Sequence, residues 1–323
     1  MTQDTLLYGL RIRSDVPLPG RPVPPDDGAP VDIEISLGPA LGPEGGSPPG
    51  TVIAHHELSP TQWYTFTELP DGSFLLRFAD ICDFAVDATL HNVEVRVAKG
   101  GSPEWVAVFA AGSLLSFILV MKGEPLLHAS AVDVGGAALA FVGRSGMGKS
   151  TMATLCCAAG GHLITDDVLR LTTGAVPQCY LGPDELRLRA WATELTSTFV
   201  DKPAQRRTGD GRDAVQVPLG AAELLRLAAV VIPLPDRAAT QVGLERLDPM
   251  QSLVALLSFP RILGWVEPVT QAQQFKLISD ISAQVPVYQA RIPWGPPFPP
   301  GVVQDILEGT GTGPSVKRLG GGA

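Results

Sequence analysis

Gly143-Arg144-Ser145-Gly146-Met147-Gly148-Lys149-Ser150 fills every position of the pattern G-x-x-x-x-G-K-[ST]. Glycines at these places let the backbone close around an anion with successive N–H groups pointing inward. A helix beginning at the end of the loop adds its partial positive charge. In such a loop Lys149 reaches the β- and γ-phosphates, the Ser150 hydroxyl ligates a divalent ion, and Thr151 closes the binding segment. The chemistry expected here is the binding of a nucleoside triphosphate or another polyphosphate, with Mg²⁺.

Two acids follow at a useful spacing. Gly161-His162-Leu163-Ile164-Thr165-Asp166-Asp167 reads as a strand that ends in paired carboxylates beside the loop. A phosphoryl-transfer site needs one acid in the Mg²⁺ shell and another that orients the attacking hydroxyl and takes its proton. Adjacent aspartates at the carboxyl end of a strand can divide those tasks, at the edge where open α/β sheets hold ligands. Upstream, Pro125 to Val132 (PLLHASAV) carries a lone His128 in an apolar run. Such a histidine is ordinarily a packed core residue, and the run alone gives it no task.

The elements that must position these residues are legible around them. Ala138 to Val142 (ALAFV) is an apolar run expected to be a buried strand, and Thr151 to Ala159 an Ala- and Cys-rich helix. Strand, glycine-rich turn and helix is the context the motif requires. Before it, Leu6 to Val16, Val31 to Leu37 and four runs between Gln62 and Val97 (WYTFTEL, SFLLRFA, DFAVDA, VEVRV) read as strands, with Asp71-Gly72 as a hairpin signal. Pro22 to Pro30 and Gly38 to Gly50 are Pro/Gly-rich loops, the second expected to be mobile. The expectation is an α/β chain of three parts: a smaller, mostly β domain over 1–100, a phosphate-loop domain over 101–308, and a disordered tail over 309–323. Trp105 to Met121 (WVAVFAAGSLLSFILVM) sits at the short limit for a membrane span. Ser102-Pro103-Glu104 before it supplies an N-cap, a first-turn proline and an acidic first turn, so a buried core helix is expected. Phe259 to Val285 has helical spacing.

Composition sets bounds. The chain has 323 residues, 45% hydrophobic and 18% charged, with a net charge of −9. That acidity argues against a nucleic-acid partner, which would call for a basic face. Cys82, Cys156, Cys157 and Cys179 are too few and too scattered for a disulfide framework and read as packing residues in a reducing cytosol. No basic-apolar leader begins at Met1, so a cytoplasmic protein is expected.

Taken together, Leu126 to Ala131, Gly143 to Thr151 and Gly161 to Asp167 resemble the catalytic core of the HPr kinase/phosphorylase superfamily. The nearest likeness is to the HPr-kinase-like serine kinases of lasso-peptide and related peptide biosynthesis, which open with a segment similar to Leu7-Tyr8-Gly9-Leu10 through Ser14 to Pro17. The resemblance implies a P-loop kinase domain of HPr-kinase type. It implies Lys149 and Ser150 as phosphate and metal residues, Asp166 as the acid that helps hold Mg²⁺, and Asp167 as the general base, with the two aspartates exchangeable. His128 matches a histidine beside the transferred phosphate. Glu185-Leu186-Arg187-Leu188-Arg189 falls where the family has a charged active-site segment, so Arg187 or Arg189 would steady the moving phosphoryl group, or would simply form surface ion pairs. His162 is expected to be structural, and Lys202, Arg206 and Arg207 to lie in a solvated loop.

The chain departs from the HPr enzymes in having Thr151 where they place Glu, and in lacking their glycine-rich signature after the acidic strand. HPr itself is therefore not the expected acceptor. The implied function is an ATP- and Mg²⁺-dependent serine kinase acting on a hydroxyl of a peptide or small protein. No membrane partner is expected, and the hexameric HPr enzymes leave a homo-oligomer open. The alternatives are a nucleotide-binding regulatory module and a small-molecule kinase. Neither the Asn-Lys-x-Asp pattern of GTPases nor the Leu-Ser-Gly-Gly-Gln signature of transporter ATPases is present.

Overall fold

Tyr8 and Gly9 both adopt positive φ (54° and 70°), so the chain reverses between β1 (Gln3–Leu7) and β2 (Leu10–Ser14) in a two-residue hairpin. This hairpin is the first element of a computed structural model that describes residues 2–24, 28–41, 46–59 and 62–313. It continues through β3 (Arg21–Pro22), β4 (Ile33–Leu37), β5 (Thr51–Ser59), β6 (Gln62–Glu68), β7 (Phe74–Phe78), β8 (Cys82–Val86) and β9 (Asn92–Val97). The nine strands form one sheet in the order β3-β1-β2-β4-β9-β8-β7-β6-β5. Asp71-Gly72 makes the turn between β6 and β7, with Gly72 at φ 80° donating its N–H to Leu69 O. The strand β5 was not expected. Residues 25–27 and 42–45 of the two Pro/Gly-rich loops, and 314–323 of the tail, lie outside the described residues.

One face of this sheet is covered by α1 (Pro103–Met121). Ser102 caps it by accepting from Glu104 N–H, and Pro103 occupies its first turn. The helix is long and apolar enough to cross a membrane by length and composition alone, yet 61% of that stretch is buried against the rest of the chain. Phe109 stacks on Phe78 at 4.2 Å, and Phe117 meets Phe66 and Phe74 edge-on at 5.7 and 5.2 Å. Its middle, Ala110–Leu114, is a π-helical turn. Such widenings cluster at functional sites, and this one brings Gly112 against Asp167 and Arg261.

Beyond α1, β10 (Leu126–Leu127) leads into β11 (Ala129–Asp133), β12 (Ala138–Val142), helix α2 (Lys149–Ala158) and β13 (His162–Thr165). Next, β14 (Leu169–Arg170) pairs with β10, and β15 (Gln178–Tyr180) is followed by β16 (Glu185–Leu188), β17 (Gln205–Arg207) and β18 (Asp213–Gln216), which form a small antiparallel sheet. The long β19 (Leu224–Asp236), β20 (Gly243–Arg246) and β21 (Val287–Pro293) complete a central sheet ordered β13-β11-β12-β19-β21-β20. Within it β12, β19 and β21 run parallel. Helices α3 (Pro249–Leu257), α4 (Pro268–Gln284) and α5 (Val302–Thr310) belong to the same half. The molecule is thus a mixed α/β structure with several sheets.

Two expectations need correction. The helical spacing from Phe259 becomes a helix only at Pro268, because Pro260 and Gly264 (φ 66°) break the segment before it. That segment runs along the edge of the first sheet instead, with His55 N–H donating to Gly264 O and Val266 N–H to Ile53 O. Gly309 to Gly311, expected in the tail, belong to a helix end instead: Gly309 and Thr310 close α5, and Gly311 caps it at φ 68°.

Candidate phosphate and acceptor site

The central sheet gathers the site by strand direction. β11 lies between β12 and β13 and is antiparallel to both. The start of β11 therefore shares an edge with the ends of β12 and β13. His128 precedes β11, Gly143 follows β12, and Asp166-Asp167 follow β13, so all three motifs emerge together. β11 lies between the loop strand and the acidic strand, and the aspartates still reach the loop.

The loop has the conformation its glycines allow. Gly146 and Gly148 sit at φ 92° and 93°, where an L-residue would be strained, and α2 begins at Lys149. Lys149 is buried, and its Nζ donates to Gly143 O at 2.8 Å and Arg144 O at 3.3 Å. Burial lowers its pKa, opposed by the charges of Asp167 and Asp166. Ser150 Oγ donates to Asp166 Oδ1 at 2.9 Å, and Ser130 Oγ to the same oxygen at 2.5 Å. The other oxygen, Asp166 Oδ2, accepts the Arg187 backbone N–H at 2.9 Å.

Asp167 has different company. It sits at φ 78°, with Oδ1 3.1 Å from His128 Nε2 and Oδ2 2.9 Å from Arg261 Nη2. Burial would raise its pKa, but the Arg261 guanidinium, the His128 hydrogen bond and the charge of Arg187 hold it well below the usual carboxylate range. An ionised carboxylate only accepts, so His128 carries its hydrogen on Nε2. Burial lowers the pKa of His128, with Asp167 pulling the other way and Lys149 and Arg261 adding to the fall.

Acidification should accordingly loosen this site. The folded pKa of His128 lies below its ordinary 6.5, so the unfolded chain takes the proton first as pH falls. Stability from the neutral imidazole is complete above about pH 6.5 and is lost as pH drops through the folded pKa. Asp167, also depressed, adds a loss in the same direction below about pH 3.8. The melting temperature of the wild type should fall between about pH 7.5 and 5.5 more steeply than that of His128→Gln, which keeps a donor toward Asp167 without a proton to gain. Equal slopes would contradict this reading.

A cavity of about 120 Å³ lies over the loop, lined by His128, Ser145, Gly146, Gly148, Lys149, Ser150, Asp166, Asp167, Arg187, Arg189 and Arg212 among others. Arg189 Nη2 donates to Ser145 Oγ at 3.0 Å, and Arg187 and Arg212 both pair with Asp210. Arg187 is half-buried; desolvation opposes its charge, and Asp167, Asp210 and Asp166 outweigh it and raise its pKa. Its Nε has no hydrogen-bond partner among the described residues. Beside the loop, a cleft of about 50 Å³ is lined by Met147, Pro233 and Phe298 with the half-exposed indoles of Trp191 and Trp294.

The loop residues, His128, Asp166, Asp167 and Arg187 are thus together. Arg144 is exposed, as is His162 at the start of β13. Arg206 and Arg207 are tied up in ion pairs with Glu185 and Asp213, and Lys202 is exposed. Sequence reasoning missed Arg261, Arg212, Asp210, Ser130 and Tyr8. Ser130 alone had a signal, two residues beyond His128 and so at the same strand entrance. Among the described residues no cluster of three His, Cys, Asp or Glu side chains could cage a metal. A Mg²⁺ site here would draw on Ser150 and Asp166 and take its remaining oxygens from phosphate and water, as that ion commonly does.

No family model matches the chain, and no curated protein matches its sequence. Among solved structures it is similar to the HPr(Ser) kinase/phosphatase from Coxiella burnetii, at 10% identity over 52% of this chain and 85% of that one, with a TM-score of 0.26. A structural likeness this distant carries no functional weight, and the case for a function rests on the residues around the loop.

Proposed function

We propose that this protein is an ATP- and Mg²⁺-dependent kinase that phosphorylates a serine hydroxyl of a peptide or small protein. The observation that carries the reading is the division of labour between two adjacent carboxylates. Asp166 is fixed by Ser150, Ser130 and the Arg187 backbone at the end of the phosphate loop, while Asp167 stands ionised between His128 and Arg261.

The residues fit the groups they would hold. The left-handed glycines of the loop, the helix start at Lys149, its ammonium, and an Arg187 Nε with no partner among the described residues suit a chain of phosphates. Ser150 and Asp166 present two hard oxygens side by side, and Mg²⁺ bound there would neutralise charge on the β- and γ-phosphates. Asp167 would accept the proton of the acceptor hydroxyl as its oxygen bonds to the γ-phosphorus; the bond to the β,γ-bridging oxygen breaks and ADP leaves with that electron pair. A carboxylate held so low is a weak base. In a loose transition state that proton leaves late, so orientation of the hydroxyl matters more than basicity. His128 and Arg261 keep Asp167 charged and aimed, and Arg187 and Arg189 would counter the charge of the moving phosphoryl group.

The nucleobase would lie in the cleft between Trp191 and Trp294. Stacking on an aromatic ring is worth about 1–3 kcal/mol per base. Trp294→Ala should therefore raise the Kd of ATP roughly tenfold and leave that of inorganic triphosphate unchanged; equal weakening of both would place the base elsewhere.

The reading itself is tested by incubating the protein with Mg-ATP and the small peptides encoded beside its gene, and following peptide mass. A gain of about 80 Da, one phosphoryl group, is expected. ATP binding with no gain on any peptide would favour a nucleotide-dependent binding module or a small-molecule acceptor.

A further inference from the structure

A second cavity, of about 340 Å³, opens on the other side of the paired aspartates. Asp166, Asp167 and Arg187 line both it and the cavity over the phosphate loop. The remaining walls come largely from the loop between β2 and β3 and from α1: Leu18 and its flanking prolines, and Ala107, Val108 and Ala111. We infer that this cavity is the acceptor pocket, and that it takes a serine whose neighbouring residues are small and apolar. The inference rests on the kinase reading and specifies its substrate class.

Three observations support it. First, the position is the one a phosphoryl acceptor needs. A hydroxyl entering from this side meets Asp167 from the face opposite the loop, so donor and acceptor approach the same carboxylate from separate entrances. Second, the fold is locally built to make the pocket. The hairpin turn at Tyr8-Gly9 is driven into the kinase half, where Tyr8 N–H donates to Leu181 O at 2.8 Å and Tyr8 O accepts from Arg170 Nη1 at 2.7 Å. Tyr8 is buried at the pocket floor. The π-helical turn of α1 brings Ala111 and Gly112 to the same floor, and a Cβ on Gly112 would lie 2.8 Å from Arg261 Nη2 and 3.5 Å from Asp167 Oδ2. Third, the cations on the walls are engaged. Arg206 pairs with Glu185 at 2.6 Å and Arg187 with Asp210, so an acidic flanking residue would be desolvated against apolar walls without a ready counter-ion, and a basic one would find only Glu104. Glu104 stands exposed at the rim, which makes an acidic flank the least tolerated. A volume of this size suits two or three residues of peptide.

The test uses the full-length protein, Mg-ATP and three series of blocked hexapeptides, each with one central serine and flanks of Ala/Leu, Lys or Glu. The Ala/Leu series should be phosphorylated with a kcat/KM at least about tenfold above the Lys series, and higher still above the Glu series, as burial of one apolar side chain provides. Ala107→Trp, which fills the pocket, should raise KM for the Ala/Leu peptides about tenfold or more, with a smaller change in kcat. ATP dissociation constants measured on the same variant show whether it is folded; Leu18→Glu, on a different element, serves as the second probe. A preference for charged flanks, or Ala/Leu kinetics unchanged by both substitutions, overturns the pocket. If no peptide in any series is phosphorylated while a peptide encoded beside the gene is, the pocket assignment fails; if ADP forms at the same rate with and without any peptide and the label leaves as free phosphate, it is the kinase reading that fails.

Discussion

Asp167→Asn lowers the turnover number for phosphoryl transfer by about 10²- to 10⁴-fold, the range a positioned proton acceptor supplies. Asparagine is the informative replacement because the backbone at this position has φ 78°, a conformation asparagine tolerates better than most residues. The substitution therefore removes the charge and the accepting oxygen without forcing the turn open. It also leaves two donors, His128 Nε2 and Arg261 Nη2, facing a group that presents only one oxygen. One of them loses its partner, which costs about 1–3 kcal/mol of stability. A moderate drop in melting temperature should accompany the loss of turnover. ATP affinity should change little, since Lys149, Ser150 and Asp166 keep their contacts. Single-turnover kinetics with saturating ATP separate the two effects. A variant that retains wild-type turnover would remove Asp167 from the reaction.

Lys149→Ala produces the second large effect, and on a different quantity. Lys149 Nζ is the buried cation closest to the loop, held by Gly143 O and Arg144 O. Removing it takes away the charge opposite the β- and γ-phosphates and should cost about 10²- to 10³-fold in kcat, with a raised Kd for ATP. Lys149→Arg should not restore activity. A planar guanidinium cannot occupy the place of a compact ammonium beside two loop carbonyls. Calorimetric titration with ATP, together with initial rates, measures both. Full activity in the arginine variant would show that the site asks only for a positive charge.

How much of this was legible in the sequence follows from where each contact originates. The loop, the strand before it and the helix after it are local, and the pattern of glycines with Lys149 and Ser150 announced them. The aspartate pair was legible as a motif and His128 only through the family resemblance, and the strand pairing explains why segments so far apart meet: β11 runs against both of its neighbours. Arg261 was not legible. It contacts Asp167 from 94 residues away, on an irregular segment whose apolar spacing imitated a helix until Pro260 and Gly264 are weighed. The strand β5 was overlooked because Thr51 to Ser59 carries two histidines and a glutamate in place of a clean alternation, and it lies between two proline-containing stretches. Gly112 and Ser113 interrupt the apolar run Trp105 to Met121 where the π-helical turn falls, but two small residues do not distinguish a widened turn from an ordinary one. Tyr8 reaches the site through tertiary docking of a hairpin turn, which no local pattern encodes.

The central claim is that the γ-phosphoryl group passes to a hydroxyl held beside Asp167. The most direct measurement is the stoichiometry of one reaction: ADP formed and phosphoserine formed, counted in the same sample with ATP labelled in its γ-phosphate. The account predicts one phosphoserine for each ADP in the presence of an acceptor peptide, and little ADP in its absence. ADP accumulating at the same rate with and without peptide, with the label released as free phosphate, would contradict it.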